Sequence, residues 1–126
     1  MNGTKIVFDT CAGIKLLDGK YDLASLGDDI DQAQQFTSVI VRMEMLAKPG
    51  ITPDEERKIR EFLADMVVAP LDNSVEKIAV EIRRTTTIKL PDCIVAATAI
   101  ALDAILLTDD QGLKKLVWPG LKTLAI

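Results

Sequence analysis

Short apolar, β-rich runs alternate with segments of helical period along the whole chain, and no Ser/Gly-rich linker or internal repeat interrupts the alternation. Strands separated by helices pair in parallel, because a parallel pair needs a long crossover. The chain therefore reads as one α/β domain over residues 1–126, built on a mostly parallel sheet of about five strands. Its 126 residues, 48% hydrophobic and 27% charged, suffice for one core and exclude a collagenous, disordered or coiled-coil chain.

The expected strands are residues 5–8, 36–40, 67–71, 104–107 and 121–126. The first ends at Asp9, and residues 10–17 put Ile14 and Leu17 on one helical face before Asp18-Gly19 breaks it. Residues 20–35 are polar and read as a helix around Leu23 and Leu26 plus a loop. The second strand leads into a helix through Leu46, which Pro49-Gly50 ends. Thr52-Pro53-Asp54-Glu55 is a helix start with a Thr cap, and Ile59, Phe62, Leu63 and Met66 follow as a stripe that reads as core or, in part, as a surface for a partner chain. Asp72 or Asn73 caps a helix that buries Val75, Ile78, Ala79 and Ile82, and Leu90-Pro91 stops the stretch after it. Asp92 then opens a helix whose residues 94–102 are apolar nearly all round, as expected of one buried between layers; a short helix over 112–117 precedes the last strand.

Fifteen Lys+Arg against nineteen Asp+Glu leave a net charge of -4, so no broad basic footprint exists for duplex DNA or an anionic membrane. With no histidine, His-based triads, imidazole acid/base catalysis and His-ligated zinc are excluded together. Cys11 and Cys93 lie far apart outside any C-x-x-C pair, which fits a reduced, cytoplasmic setting, and both read as small buried hydrophobes. The longest apolar run, residues 93–102, is too short to span a bilayer, and Asp9 interrupts the first apolar stretch before it can act as a signal peptide. A soluble protein without a membrane partner is expected.

Chemistry must then rest on carboxylates. Ligands of an open parallel sheet sit outside the carboxyl ends of its strands, and four acids fall there by sequence. Asp9 ends the first strand, Asp110 follows the strand at 104–107, Asp92 starts a helix, and Glu44 lies about a turn into the helix after the second strand. Taken singly, Asp9 and Asp92 are also good helix caps, and Asp109-Asp110 an ordinary turn. Glu44 sits among Val39, Ile40, Val41, Met43, Met45 and Leu46, which predicts a buried acid needing a partner or a metal. Hard oxygen donors suit Mg2+ or Mn2+, and such an ion activates water and offsets phosphoryl charge, which makes phosphodiester hydrolysis the natural reaction class.

The runs Ile6-Val7-Phe8-Asp9-Thr10, Ser38 with Arg42-Met43-Glu44-Met45-Leu46, Leu90-Pro91-Asp92-Cys93-Ile94-Val95-Ala96-Ala97-Thr98-Ala99 and Leu106-Leu107-Thr108-Asp109-Asp110 resemble the PIN-domain family. The similarity is greatest to the VapC-type toxin ribonucleases of toxin–antitoxin pairs and covers essentially the whole chain. It implies a three-layer α/β/α sandwich, an Mg2+- or Mn2+-dependent endoribonuclease acting on RNA, homodimers, and neutralisation by a cognate antitoxin. Matched residue by residue, Asp9, Glu44, Asp92 and Asp110 stand at the family's catalytic and metal-binding acids, and Thr10 and Thr108 at its small polar supporting positions. Leu113 departs from the family, which often has Phe there, and Asp109 puts a second acid beside Asp110, the Thr-x-Asp spacing favouring Asp110.

Arg83, Arg84 and Lys89, just before Asp92, are candidate RNA-phosphate contacts, as are Arg42, Lys114 and Lys115, or else they form a solvated charged face. Trp118 reads as packing. An aspartyl-phosphate phosphatase would need an Asp where Cys11 stands, and a response-regulator receiver would need its paired acids near the first strand. The remaining alternative is a PIN-like binding module or a housekeeping nuclease without a toxin role.

Overall fold

A computed structural model describes residues 3–126. Strand β1 (Lys5–Phe8) feeds α1 (Thr10–Leu17); a 3-10 turn (Ala24–Leu26) and the short α2 (Asp28–Asp31) lead to β2 (Gln34–Ser38), and α3 (Val39–Leu46) and α4 (Pro53–Ala64) lead to β3 (Val67–Ala69). The chain returns through α5 (Asn73–Thr85) and α6 (Leu90–Leu102) to β4 (Ile105–Thr108), then through α7 (Gln111–Lys115) to β5 (Lys122–Ala125). The five strands form one sheet in the order β3-β2-β1-β4-β5, every pair parallel. Phe8 faces Thr37 on one side and Leu107 on the other, which sets the carboxyl ends of β1, β2 and β4 level.

The order moves outward from β1 to β3 and then jumps back to β4. Right-handed crossovers in opposite directions place helices on opposite faces, so α1–α4 cover one face and α5–α7 the other. This is the three-layer α/β/α arrangement. Central strands covered on both sides are apolar throughout, and Ile6, Val7, Phe8, Leu106 and Leu107 are fully buried. Helix α6 packs on β1, β2 and β4 beneath α5, with Cys93, Val95, Ala96, Ala97, Thr98 and Ala99 buried.

Several boundaries differ from the sequence reading. Strand β2 ends at Ser38 rather than residue 40, because the Ser38 hydroxyl accepts the Ile40 N–H (3.2 Å) and turns the β-branched run into α3. Leu90-Pro91 starts α6 instead of stopping the preceding stretch; a proline in the first turn has no N–H to lose there. Asp92 therefore lies within the first turn, and Lys89 is the residue before the helix. Strand β3 is short because Pro70 cannot continue the ladder. The single helix expected around Leu23 and Leu26 is replaced by a 3-10 turn, pinned by Asp22 accepting the Ser25 N–H (2.8 Å), and the separate α2. Glu44 is exposed rather than buried, since α3 turns that side away from the sheet, and Cys11 is exposed on α1 while Cys93 is buried as expected.

Candidate functional site

The strand order reverses between β1 and β4, and helices leave these two strands toward opposite faces, the arrangement in which open parallel sheets place a ligand crevice at the carboxyl ends. Asp9 stands on one side of that crevice. Its backbone N–H still donates to Leu107 across the sheet (3.2 Å), its Oδ1 accepts the Ala12 N–H (2.7 Å) as the cap of α1, and its Oδ2 accepts the Thr108 hydroxyl. The same Thr108 oxygen accepts the Asp110 N–H (3.0 Å), so one side chain at the end of β4 orients an acid on each side of the switch point. Asp110 in turn caps α7, its Oδ2 accepting the Leu113 N–H (2.9 Å). Gly112 leaves room for that carboxylate: a Cβ there would lie 3.1 Å from Asp110 Oδ2.

Glu44 arrives from α3. Its Oε1 accepts the Thr10 hydroxyl (2.7 Å), a bond that ties α3 to the first residue of α1. This pair works because the two helices pack closely at Gly13, where a Cβ would be 3.3 Å from the Met45 sulfur. Asp92 enters half-buried from the first turn of α6 and accepts no hydrogen bond among the described residues.

Electrostatics join the four. Burial pushes the Asp92 carboxyl above its usual range, and the negative charges of Asp110, Glu44 and Asp9 push it further, with Lys89 opposing. Burial also raises Asp9, against the hydrogen bonds from Thr108 and Ala12, and Asp110 and Asp109 add to the rise. Asp92 thus senses all three other acids, and all four sequence-selected carboxylates meet at one edge. Asp109, whose charge also acts on Asp9, is held differently. It pairs with Lys15 and with Lys114 (2.8 Å), which hold its carboxyl down at about 2.

Of the expected phosphate contacts, Lys89 acts on Asp92, whereas Arg83 donates to the Thr86 carbonyl (3.3 Å) and Arg84 lines a shallow depression on α5 with Glu76, Lys77 and Glu81. Sequence reasoning missed Lys15 altogether. Its signal was a charged residue one position past Ile14 on an otherwise apolar helix. Beside Glu44, α1, α3 and α4 enclose a groove of about 510 Å³ with an apolar floor of Ile14, Leu17, Met45 and Ile59.

The donor set fits a hard divalent cation. Among the described residues no three of these side chains enclose an ion by themselves. Mg2+ keeps several waters and takes one or two carboxylates, and an open edge of mutually repelling, partly desolvated oxygens meets that need.

The PIN domain family model matches residues 6–119. The chain belongs to the PIN domain family. Solved structures similar to this PIN domain include a chain of VapBC2 from Rickettsia felis bound to a promoter DNA fragment, at 18% identity and TM-score 0.80, covering 98% of this chain and 99% of that one. A toxin–antitoxin complex from Klebsiella pneumoniae matches at 25% identity and TM-score 0.74, covering 92% and 94%. DNA-bound VapBC from Salmonella typhimurium matches at 17% identity and TM-score 0.78, covering 97% and 98%. No curated protein matches the chain.

Proposed function

We propose that this PIN domain is an Mg2+- or Mn2+-dependent endoribonuclease that acts as the toxin of a toxin–antitoxin pair, a cytoplasmic homodimer held inactive by its antitoxin. The observation that carries the reading is the Thr108 hydroxyl, which donates to Asp9 and accepts the Asp110 N–H at the strand-order switch and so fixes two of the four acids side by side. The solved structures it resembles include a toxin–antitoxin complex and members of the VapBC family of toxin–antitoxin systems, matched over nearly the whole chain, which supports the toxin role.

On this reading Asp9, Asp92, Asp110 and Glu44 form the edge that would hold the cation, one or two of them directly and the others through its waters. When bound, it lowers the pKa of a water and offsets charge on the phosphoryl oxygens, the part an imidazole plays elsewhere and this chain lacks. Thr108 fixes the orientation of Asp9 and the approach of Asp110, and Thr10 fixes Glu44. Phosphodiester hydrolysis then adds the water oxygen to phosphorus and releases one ribose oxygen, with its proton, as the leaving group. The open edge suits a single-stranded or looped RNA whose backbone can be bent into the crevice.

Purified protein should cleave a mixed-sequence RNA with Mn2+ or Mg2+ and stop in EDTA. Its expression alone should arrest growth, Asp9→Asn should relieve the arrest, and co-expression with the adjacent small gene should give an inactive complex. Full activity in chelator, with carried-over metal excluded, would sink the mechanism. Harmless expression of folded, metal-binding protein would move the reading to a housekeeping nuclease or a binding module.

A further inference from the structure

Three charged side chains beside the acids are left over once the four carboxylates are assigned. Lys15 projects from α1, on the β1 side of the switch point, and Lys114 from α7, on the β4 side. Both ammonium groups converge on one carboxylate, Asp109, which sits in the turn between β4 and α7. The Lys15, Lys114 and Asp109 side chains are 37%, 25% and 30% exposed, so the cluster is neither core nor fully solvated.

A staple between two helices needs one cation for one acid. Here two cations share one acid, which leaves a net charge of +1, and Lys15 is close enough to Asp9 for their charges to interact. An excess cation next to an acidic edge does not serve that edge, since the carboxylates would hold a metal better unopposed. It does serve an anion brought to that edge. A phosphodiester carries one negative charge and must approach a group of acids, so a preset net +1 shared by the helices on the two sides of the switch point would receive it.

We propose that Lys15 and Lys114 receive a backbone phosphate of the nucleic acid, and that Asp109 is the positioning residue that holds the two ammonium groups together at the crevice. This rests on the endoribonuclease reading above. Of the arginines the sequence put forward for this role, Arg84 lines the depression on α5 and Arg83 donates to the Thr86 carbonyl.

The test is steady-state cleavage of a labelled mixed-sequence RNA in Mn2+ over a KCl series, with thermal melts of each variant. Lys15→Ala and Lys114→Ala should each raise KM by about fivefold, the scale of one exposed charge contact, with kcat little changed. Each should also make the slope of log KM against log salt shallower by about 0.7, the value for one single-strand phosphate. Asp109→Asn should raise KM and keep the slope, because both cations remain, and Asp109→Glu should restore much of the loss. Variants that melt lower yet keep wild-type KM and slope would overturn the proposal, leaving the cluster as a helix staple. If wild-type protein neither cleaves nor binds the RNA, the endoribonuclease reading itself fails, a result distinct from a wild type that cleaves with variants that match it.

Discussion

Thr108 is the residue on which most of the site's order depends, because its single hydroxyl donates to Asp9 and accepts from the Asp110 backbone while fully buried. Thr108→Val keeps the shape and removes both bonds, leaving a buried carboxylate oxygen of Asp9 without a donor. A loss of about 1–3 kcal/mol in stability is expected from denaturant unfolding, with cleavage falling alongside. Asp92 behaves oppositely. Its carboxyl is raised in the folded state, so between the ordinary value of 3.8 and the raised one the folded protein holds more protons than the unfolded chain. Stability therefore falls as pH rises through that window, and the deficit is complete above it. Asp92→Asn removes the deficit, so in chelator at pH 7 it should melt a few degrees above wild type while losing cleavage; a lower melting point would mean that the carboxylate stabilises the fold as charge. Asp9→Asn should not show the same gain, since Asp9 also caps α1 and takes the Thr108 bond. Three of these acids were legible because strand ends and helix starts have recognisable patterns. Glu44 was legible by its place a turn into the helix after the second strand, but the burial expected of it is absent: its apolar neighbours face the core, and the acid itself is held from outside by Thr10.

At the scale of elements, periodicity placed the strands and the major helices, while their ends depended on single caps that apolar pattern does not encode. Ser38 and Pro91 show why: a hydroxyl ends β2 two residues early, and a proline usually read as a stop is tolerated as a first-turn residue. Residues 20–35 were obscure because short 3-10 and α turns expose too little apolar face to leave a period. The contact of α1 with α3 is the one that most directly shapes the site. Gly13 lets the helices approach over Met45 and Phe62, and that approach brings Thr10 within reach of Glu44. Gly13→Leu would overpack this seam at a cost of about 1–3 kcal/mol, and the separated helices would release Glu44. Cleavage should then fall further than Thr10→Val alone makes it fall, and equal losses from the two variants would show that only the hydrogen bond matters.

Across the whole molecule, the four acids come from both halves of the chain: Asp9 and Glu44 from the outward progression through β1 and β2, Asp92 and Asp110 from the return through α6 and β4. The half on one side of the switch point cannot build the site without the other. A divalent cation bound across this edge would link helices from both faces of the sheet, and the unfolded chain, with its acids dispersed, would have no comparable site. Binding to the folded state alone raises stability by RT ln(1 + [L]/Kd), about 2.7 kcal/mol when the free ion exceeds its dissociation constant a hundredfold. Mn2+ should therefore raise the melting temperature in a concentration-dependent way, and backbone amide exchange should slow at β1 and β4 together. Asp92→Asn should begin from a higher melting temperature in EDTA and gain less from Mn2+, so the two titrations converge as the ion is added. Parallel titrations, with the variant gaining as much as wild type, would place the ion elsewhere and remove Asp92 from the ligand set.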